Sequence, residues 1–333
     1  MQKEPLVSVL LPVYNAASYV QEAIESILCQ RYRNFELIVV DDGSTDESGR
    51  VVQTITDPRI RVFRQPNQGL SAALNRAIEM AQGEYLARQD ADDLSLPRRL
   101  DRQVEFLEAH PEVGMVGTWA EVRTDTPRSD NVYTPPTDNR LLKFELLFDN
   151  PFVHSSVMVR KHVLVCVGAY TQEASVRAED YDLWSRIMRE FDVSNLPEML
   201  HVYRDAPDSK LKRERDAILE NVINISMANL SWVTKRDRND PVINDLAALS
   251  HGAYHRVQGY ATSDDLLALL FEAADRVSGG GAAPAELLRE RVQAHWCTVR
   301  HHYDVYNRYH KGGRLRGKMA QFSKMVKRTI PLP

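Results

Sequence analysis

Short apolar, β-branched runs alternate with helix-period segments along the first 120 residues. Leu6 to Leu11 is the first run, and it is expected to end at Pro12, which breaks a central strand. Ser18 then stands as a helix cap with Gln21 three residues on, a capping-box spacing, ahead of Val20, Ile24, Ile27 and Leu28 at helical intervals. Phe35 to Val40 is a second run, stopped by Asp41-Asp42-Gly43-Ser44. Asp46 is placed to cap a helix bearing Val51, Val52 and Ile55. Ile60 to Phe63 reads as a third strand and Gly69 to Ala81 as a helix. Tyr85 to Ala87 is a fourth strand ending at Asp90, Pro97 opens another helix, and Val113 to Val116 is a fifth strand. Strand and helix alternating through short links predict an α/β protein: a Rossmann-like, mostly parallel sheet flanked by helices. Ligands of such sheets bind beyond the carboxyl ends of the strands, where Tyr14-Asn15, Asp41-Asp42 and Asp90-Ala91-Asp92 fall.

Past Asp125 the pattern changes. Thr124 to Thr137 reads as a polar loop, Leu141 to Phe148 as a helix, Ser156 to Val159 as a strand, Glu179 to Glu190 as a helix and Met199 to Tyr203 as a last strand. From Lys210 helical patterns dominate, broken at Ser278-Gly279-Gly280-Gly281. The expected organisation is a first domain over residues 1–210, in two halves (1–120 and 121–210). A helical C-terminal extension (211–310) and a basic tail (311–333) follow. The extension could serve dimerisation, making a homo-oligomer, or acceptor recognition.

Composition adds limits. The chain has 333 residues, 43% hydrophobic and 26% charged, enough for a core without disulfides. Three widely spaced cysteines, Cys29, Cys166 and Cys297, fit reduced thiols in a cytoplasmic setting. No apolar run reaches the length of a bilayer span, and the N-terminus lacks a secretory pattern. Net charge is −4, and seven basic residues with no acid lie beyond residue 310, so the remainder carries −11. A body that acidic excludes nucleic acid as partner. In the tail, Leu315, Met319, Phe322, Val326 and Ile330 share a helical face, a pattern suited to lying peripherally on an anionic membrane at the inner face of the cell membrane. A basic helix packed on the protein body fits the same pattern.

Several short patterns carry chemistry. Three carboxylates in Asp90-Ala91-Asp92-Asp93 repel one another unless a cation sits between them, and hard oxygen ligands suit Mg²⁺ or Mn²⁺. By itself the run also fits a solvated turn with Asp93 capping the next helix. Asp42 could accept bonds from a base or a ribose, and the backbone N–H groups of Asn67-Gln68-Gly69 could meet an anion at a helix start. Glu179-Asp180 opens a helix whose dipole favours an ionised carboxylate, as a general base requires. His154 could ligate a metal or bond a phosphate, and Arg204 suits phosphate through its forked donors. Each is also a common structural feature.

The ordered set is another matter. Pro12-Val13-Tyr14-Asn15, Asp41 to Asp46, Asn67-Gln68-Gly69-Leu70-Ser71, Gly83-Glu84-Tyr85 and Asp90-Ala91-Asp92-Asp93 follow one another. His154 to Met158, Gly168-Ala169-Tyr170, Glu179 to Trp184 and Tyr203-Arg204 come after them. Together they resemble the family 2 glycosyltransferases of bacterial cell-surface polysaccharide and lipopolysaccharide synthesis, over about Val7 to Arg204. The resemblance implies a glycosyltransferase A fold for a catalytic domain over 1–210, with a nucleotide-sugar half (1–120) and an acceptor half (121–210), a nucleotide-diphosphate sugar donor, best guessed as a UDP-sugar, and Mn²⁺ or Mg²⁺. It implies Asp92 and Asp90 as metal ligands, with Asp90 also near the ribose. Pro12, Tyr14, Asn15, Asp42 and Asn67 fall in the nucleotide region, and Asp180 matches the catalytic base. His154, Glu179, Trp184 and Arg204 fall in the acceptor or phosphate region. The implied reaction is an inverting displacement onto a glycan or lipid-linked acceptor hydroxyl, by a hexosyltransferase. No Gln-x-x-Arg-Trp follows Trp184, which argues for single additions rather than processive synthesis.

Rival readings lack their motifs. A sugar-nucleotide nucleotidyltransferase needs a Gly-rich basic loop after the first strand, and a dehydrogenase needs Gly-x-Gly-x-x-Gly there. Pro12-Val13-Tyr14-Asn15 is neither. A nucleotide- or glycan-binding module without activity would have no need of Asp90, Asp92 and Asp180 together.

Overall fold

A computed structural model describes residues 4–124, 131–173, 177–205, 215–279 and 286–310. The basic tail and the Gly280-Gly281 break lie outside these residues, as does part of the polar loop before Thr137. The described chain divides into two compact units, Met1–Asn229 and Leu230–Pro333.

The first unit is built on a nine-stranded sheet ordered β3-β2-β1-β4-β8-β6-β9-β5, with β7 paired to β6. Its first half is parallel: β1 (Val7–Val13) lies between β2 (Phe35–Asp41) and β4 (Tyr85–Arg88), and β3 (Ile60–Arg64) flanks β2. Every residue of β1, β2 and β4 is buried, which explains runs without alternation: helices cover both faces. These helices are α1 (Val20–Leu28), α2 (Ser48–Thr54), α3 (Leu70–Met80) and α4 (Arg99–Ala109). The second half is mixed. β6 (Val113–Thr124) pairs antiparallel with β8 (Met158–Arg160) and β7 (Val132–Tyr133), and parallel with β9 (Asp192–Asp205). β8 is antiparallel to β4, and β5 (Leu94–Ser95) to β9. Helices α5 (Asn139–Glu145), α6 (Lys161–Val167) and α7 (Glu179–Glu190) complete this half.

Pro12 does not end β1; it pairs in register with Val40. Its nitrogen lies on the β4 side, and β4 leaves the ladder at Gln89, whose N–H reaches Leu10 O at 3.0 Å. No ladder bond is lost to the missing N–H. Ser18 forms no cap: α1 starts after Tyr19 without a side-chain cap bond. Asp46 does serve α2, accepting from the Ser48 N–H at 2.9 Å. Glycine is obligatory at Gly83, where a Cβ would stand 2.6 Å from Leu6 O and Ser8 N.

Helix α8 (Arg215–Thr234) belongs to this unit as far as Asn229. Its Asn229 donates to Leu146 O at 2.7 Å and Ser185 Oγ at 2.8 Å, and Ser226 to Leu147 O at 2.7 Å. The second unit contains α9 (Pro241–Ser250), α10 (Ser263–Val277) and α11 (Glu286–His310). Ile243 to Leu249 of α9 are all buried, so this helix is the unit's core rather than a face of it. None of the helices among the described residues is long and apolar enough to cross a membrane.

Candidate active site

Because β1, β2 and β4 run parallel and adjacent, the loops following them open at one edge of the sheet. The β1 loop carries Tyr14, half exposed, and Asn15 with φ +49°, a left-handed conformation that asparagine tolerates. Asn15 stitches this loop to the next: its N–H donates to Ser44 Oγ at 3.1 Å and its Oδ1 accepts from Thr45 N at 2.8 Å. Gly43 turns the β2 loop at φ +76°, where a Cβ would stand 2.7 Å from Asn67 N. Pro12 is buried beneath, and Asn67 is exposed.

Asp42 is only 3% exposed. Its carboxylate accepts from Gln65 Nε2 at 2.8 Å, Gln68 N at 3.0 Å and Gly69 N at 2.8 Å. The anion at the start of α3, expected from the Asn67-Gln68-Gly69 turn to come from a ligand, is therefore Asp42 itself. It fixes that turn against the β2 loop.

The acidic turn after β4 is held from below. Gln89 Nε2 donates to Asp90 O at 3.0 Å and Asp93 O at 2.9 Å, while its Oε1 accepts from Ser95 Oγ and Arg99. Asp93 does not cap a helix. It is 1% exposed, receives Ser155 Oγ–H, His201 Nε2 at 3.2 Å and the Arg204 N–H at 2.8 Å, and so pins β9 and the His154–Ser156 turn to the acidic loop. Burial pushes the Asp93 carboxyl up, but the His201, Ser155 and Arg204 contacts outweigh it and hold the group below its usual range; burial keeps His201 neutral. With Asp93 thus engaged, Asp92 and the Arg88-paired Asp90 are the remaining carboxylates of the turn.

Ligand atoms of Asp90, Asp92 and Asp93 lie within 4.8 Å of one another. Burial, then the charges of Asp90 and Asp93, push Asp92 up to about 7. Burial also raises Asp90, against the opposing pull of Arg88, with which it forms an ion pair. Carboxylates crowded until they resist ionising are a donor set that a hard divalent cation relieves, so the residues fit Mg²⁺ or Mn²⁺.

Asp180 lies in the first turn of α7. Its carboxylate accepts from Asn150 Nδ2 and from Tyr181 N, both at 2.8 Å. The helix dipole was expected to hold it ionised; instead burial, then the neighbouring Glu179, raise it to about 6. It remains mostly a base at neutral pH. The two acidic groups share one field, since Glu179 acts on Asp90 and Arg88 acts on Asp180. Glu179 itself is buried.

Trp184, one helical turn after Asp180, is fully buried with its Nε1 unpartnered. It stands edge-on to His154 at 5.8 Å, and His154 Nε2 meets the Tyr170 hydroxyl at 2.8 Å. Asn75 of α3 fixes Tyr170 by two backbone bonds, 2.8 Å to its O and 2.9 Å from its N. Burial raises the Tyr170 hydroxyl, with Arg88 opposing, so it stays protonated. Arg204 turns away toward α1, where it pairs with Glu22 and lies 5.1 Å above the Tyr19 ring.

Sequence reasoning missed Arg88, Gln89, Asn150, Tyr170 and His201. Tyr170 sat inside the Gly168-Ala169-Tyr170 pattern and was passed over. Arg88 and Gln89 lie in or beside an apolar strand and turn to the acidic loop that follows it, whereas Asn150 and His201 meet partners 30 and 108 residues away.

Several known proteins are similar to this chain. The family described as Glycosyl transferase family 2 matches residues 8–168. EpsE of Bacillus subtilis (strain 168), a glycosyltransferase by name, is 36% identical over 236 residues, covering 68% of this chain and 83% of its own. The amylovoran biosynthesis glycosyltransferase AmsE of Erwinia amylovora is 33% identical over 212 residues, 62% of this chain and 79% of its own. Among solved structures, TarS 1–349 of S. aureus in complex with UDP-GlcNAc superposes with a TM-score of 0.60 at 18% identity, over 92% of each chain. The mannosyltransferase PcManGT of Pyrobaculum calidifontis, in complex with GDP-Man and Mn²⁺, gives 0.54 at 20% identity, over 90% of this chain and 87% of its own. These likenesses show the glycosyltransferase A fold. The chain is a glycosyltransferase and belongs to family 2.

Proposed function

We propose that the protein transfers a sugar, with inversion, from a nucleotide-diphosphate sugar to a hydroxyl of a glycan or lipid-linked acceptor, in the synthesis of a cell-surface polysaccharide. The observation that carries the reading is the cluster of Asp90, Asp92 and Asp93 after β4, with ligand atoms within 4.8 Å of one another, and Asp180 in the field of the same Arg88 that acts on Asp90. A UDP donor is favoured by TarS, which holds UDP-GlcNAc, and polysaccharide synthesis by AmsE, named for amylovoran.

In this reading the nucleotide lies along the β1 and β2 loops. Tyr14 offers an exposed ring for the base to stack on. Pro12, Asn15, Asp42 and Asn67 shape the pocket, Asn15 and Asp42 by fixing its loops. Asp92 and Asp90 would hold Mn²⁺ or Mg²⁺, which supplies positive charge against the diphosphate. Asp180, oriented by Asn150, takes the proton of the acceptor hydroxyl. The oxygen forms its bond to the anomeric carbon from the face opposite the diphosphate, and the bond to the diphosphate breaks with its electron pair. His154 and Trp184 wall the acceptor side, Glu179 keeps Asp180 basic, and Arg204 braces the first loop through Tyr19 and Glu22.

The test is a panel of UDP- and GDP-sugars, with and without Mn²⁺, read by thermal shift, since a bound donor raises apparent stability by mass action. Stabilisation by a sugar nucleotide that requires the metal is the expected result. No shift with any donor, with or without manganese, removes the reading.

A further inference from the structure

The acidic turn Asp90–Asp93 hangs between two supports. From below, Gln89 Nε2 donates to Asp90 O at 3.0 Å and to Asp93 O at 2.9 Å. From the side, three donors hold the Asp93 carboxylate. The Ser155 hydroxyl and His201 Nε2, the latter at 3.2 Å, reach Oδ2, and the Arg204 N–H reaches Oδ1 at 2.8 Å. Asp90 and Asp92 lie within the span that these bonds fix.

The side support stands on rigid elements. His201 lies in β9, in register with Ala120 of β6 on one side and Ser95 of β5 on the other. Ser156, next to Ser155, accepts from Gln103 Nε2 at 2.8 Å through its O and from Thr118 N at 3.3 Å through its Oγ. Ser155 and His201 are 1% and 0% exposed, so neither side chain meets a ligand itself.

The His201 ring is committed to this cluster. The Ser155 proton goes to Asp93, and the Asp93 carboxylate offers only lone pairs. The ring proton is therefore on Nε2, 2.8 Å from Ser155 Oγ and 3.2 Å from Asp93 Oδ2. Nδ1 is buried with no hydrogen-bond partner. Leucine at this position would fill the core without leaving a polar atom unsatisfied. What imidazole adds is the donor to Asp93.

We infer that His201 is a positioning residue for the divalent cation: its Nε2–H, together with Ser155, holds Asp93 so that the turn presents Asp90 and Asp92 already placed for the ion. The inference rests on the metal reading above. Ligands fixed beforehand need not be ordered when the ion binds, and the partners that fix them govern affinity without touching it.

Titration of Mn²⁺ in the presence of UDP, read from the electron paramagnetic resonance signal of the unbound ion, decides it for wild type, His201→Leu, His201→Gln and Ser155→Ala. Each is measured at a temperature where its metal-free melt shows it folded. Glutamine puts an amide N–H about where Nε2–H stands. His201→Leu should weaken Mn²⁺ binding about thirtyfold and His201→Gln by less than about threefold, with Ser155→Ala between them. Equal weakening in the leucine and glutamine variants makes the role one of shape and overturns the inference. Should His201→Leu not fold, Ser155→Ala decides: weaker Mn²⁺ binding upholds the inference and wild-type affinity overturns it. If wild type holds no Mn²⁺ beside either UDP or GDP, the metal reading fails and takes this inference with it. Wild-type binding with unchanged variants sinks the inference alone.

Discussion

The two units bury polar groups in opposite ways. In the first, carboxylates are gathered where burial disfavours their charge: Asp92 is pushed up to about 7 and Asp180 to about 6. In the second, a buried histidine, His302, and a half-buried one, His295, are kept neutral. Burial, then His251 and Arg291, lower His295 to about 3, and burial lowers His302 despite its bond to Leu249 O. These histidines serve packing: His295 Nε2 meets Ser250 Oγ at 2.9 Å and His302 Nδ1 donates to Leu249 O at 2.6 Å, both at the end of α9. Asp245 has a similar task, accepting from Gln258 N at 2.6 Å and Gly259 N at 3.0 Å to close the loop onto that helix. Among the described residues of the second unit these polar groups are matched within the protein. The acidic cluster of the first is crowded, and burial with the neighbouring carboxylates pushes Asp92 toward neutrality.

The largest test of this contrast is Asp180→Asn. Transfer should fall by roughly 10³-fold while metal-dependent donor binding persists, as steady-state rates and calorimetry would show. Normal transfer would end the base assignment. Asp92→Asn comes next, with donor binding in Mn²⁺ weakened by roughly a hundredfold and binding without metal little changed.

Acid separates the units. As pH drops below about 6, Asp180 takes up its proton and kcat should decline about tenfold per unit. His295 responds to acid through stability. Its folded pKa lies below the unfolded value, so its stabilisation is complete above pH 6.5 and is lost as pH falls. From pH 6.5 to 5 that amounts to about 2 kcal/mol, visible as faster hydrogen exchange in Pro241–Ser250. His295→Gln should flatten this dependence and leave the acid limb of kcat in place. If the variant moves both, the units are not independent in their titration.

The smallest effect is expected at Asp240, which caps α9 by accepting from Val242 N at 2.8 Å. Asp240→Ala should cost about 1 kcal/mol in denaturant melts without altering transfer at saturating substrate.

Much was legible in the chain itself. The apolar runs at Phe35 and Tyr85 and the helix over Glu179–Glu190 appear where periodicity puts them, because those segments are buried on both faces or along one stripe. Errors fell at the ends of elements. Pro12 stays in its strand because the neighbour on its donor side has already left, which no local rule reveals. The acidic turns at Asp42 and Asp90 were visible as candidates, but not their division of labour. Asp42 and Asp93 close loops, whereas burial raises Asp90, Asp92 and Asp180 above the usual carboxylate range.

Sequence by itself determined the alternation of elements, the residue types available for chemistry and the family they resemble, since these depend on local pattern and order. Only the tertiary structure decided which charges are quenched and which are left strained. That outcome depends on partners a hundred residues apart, as between Asp93 and His201, and on the loss of water around them.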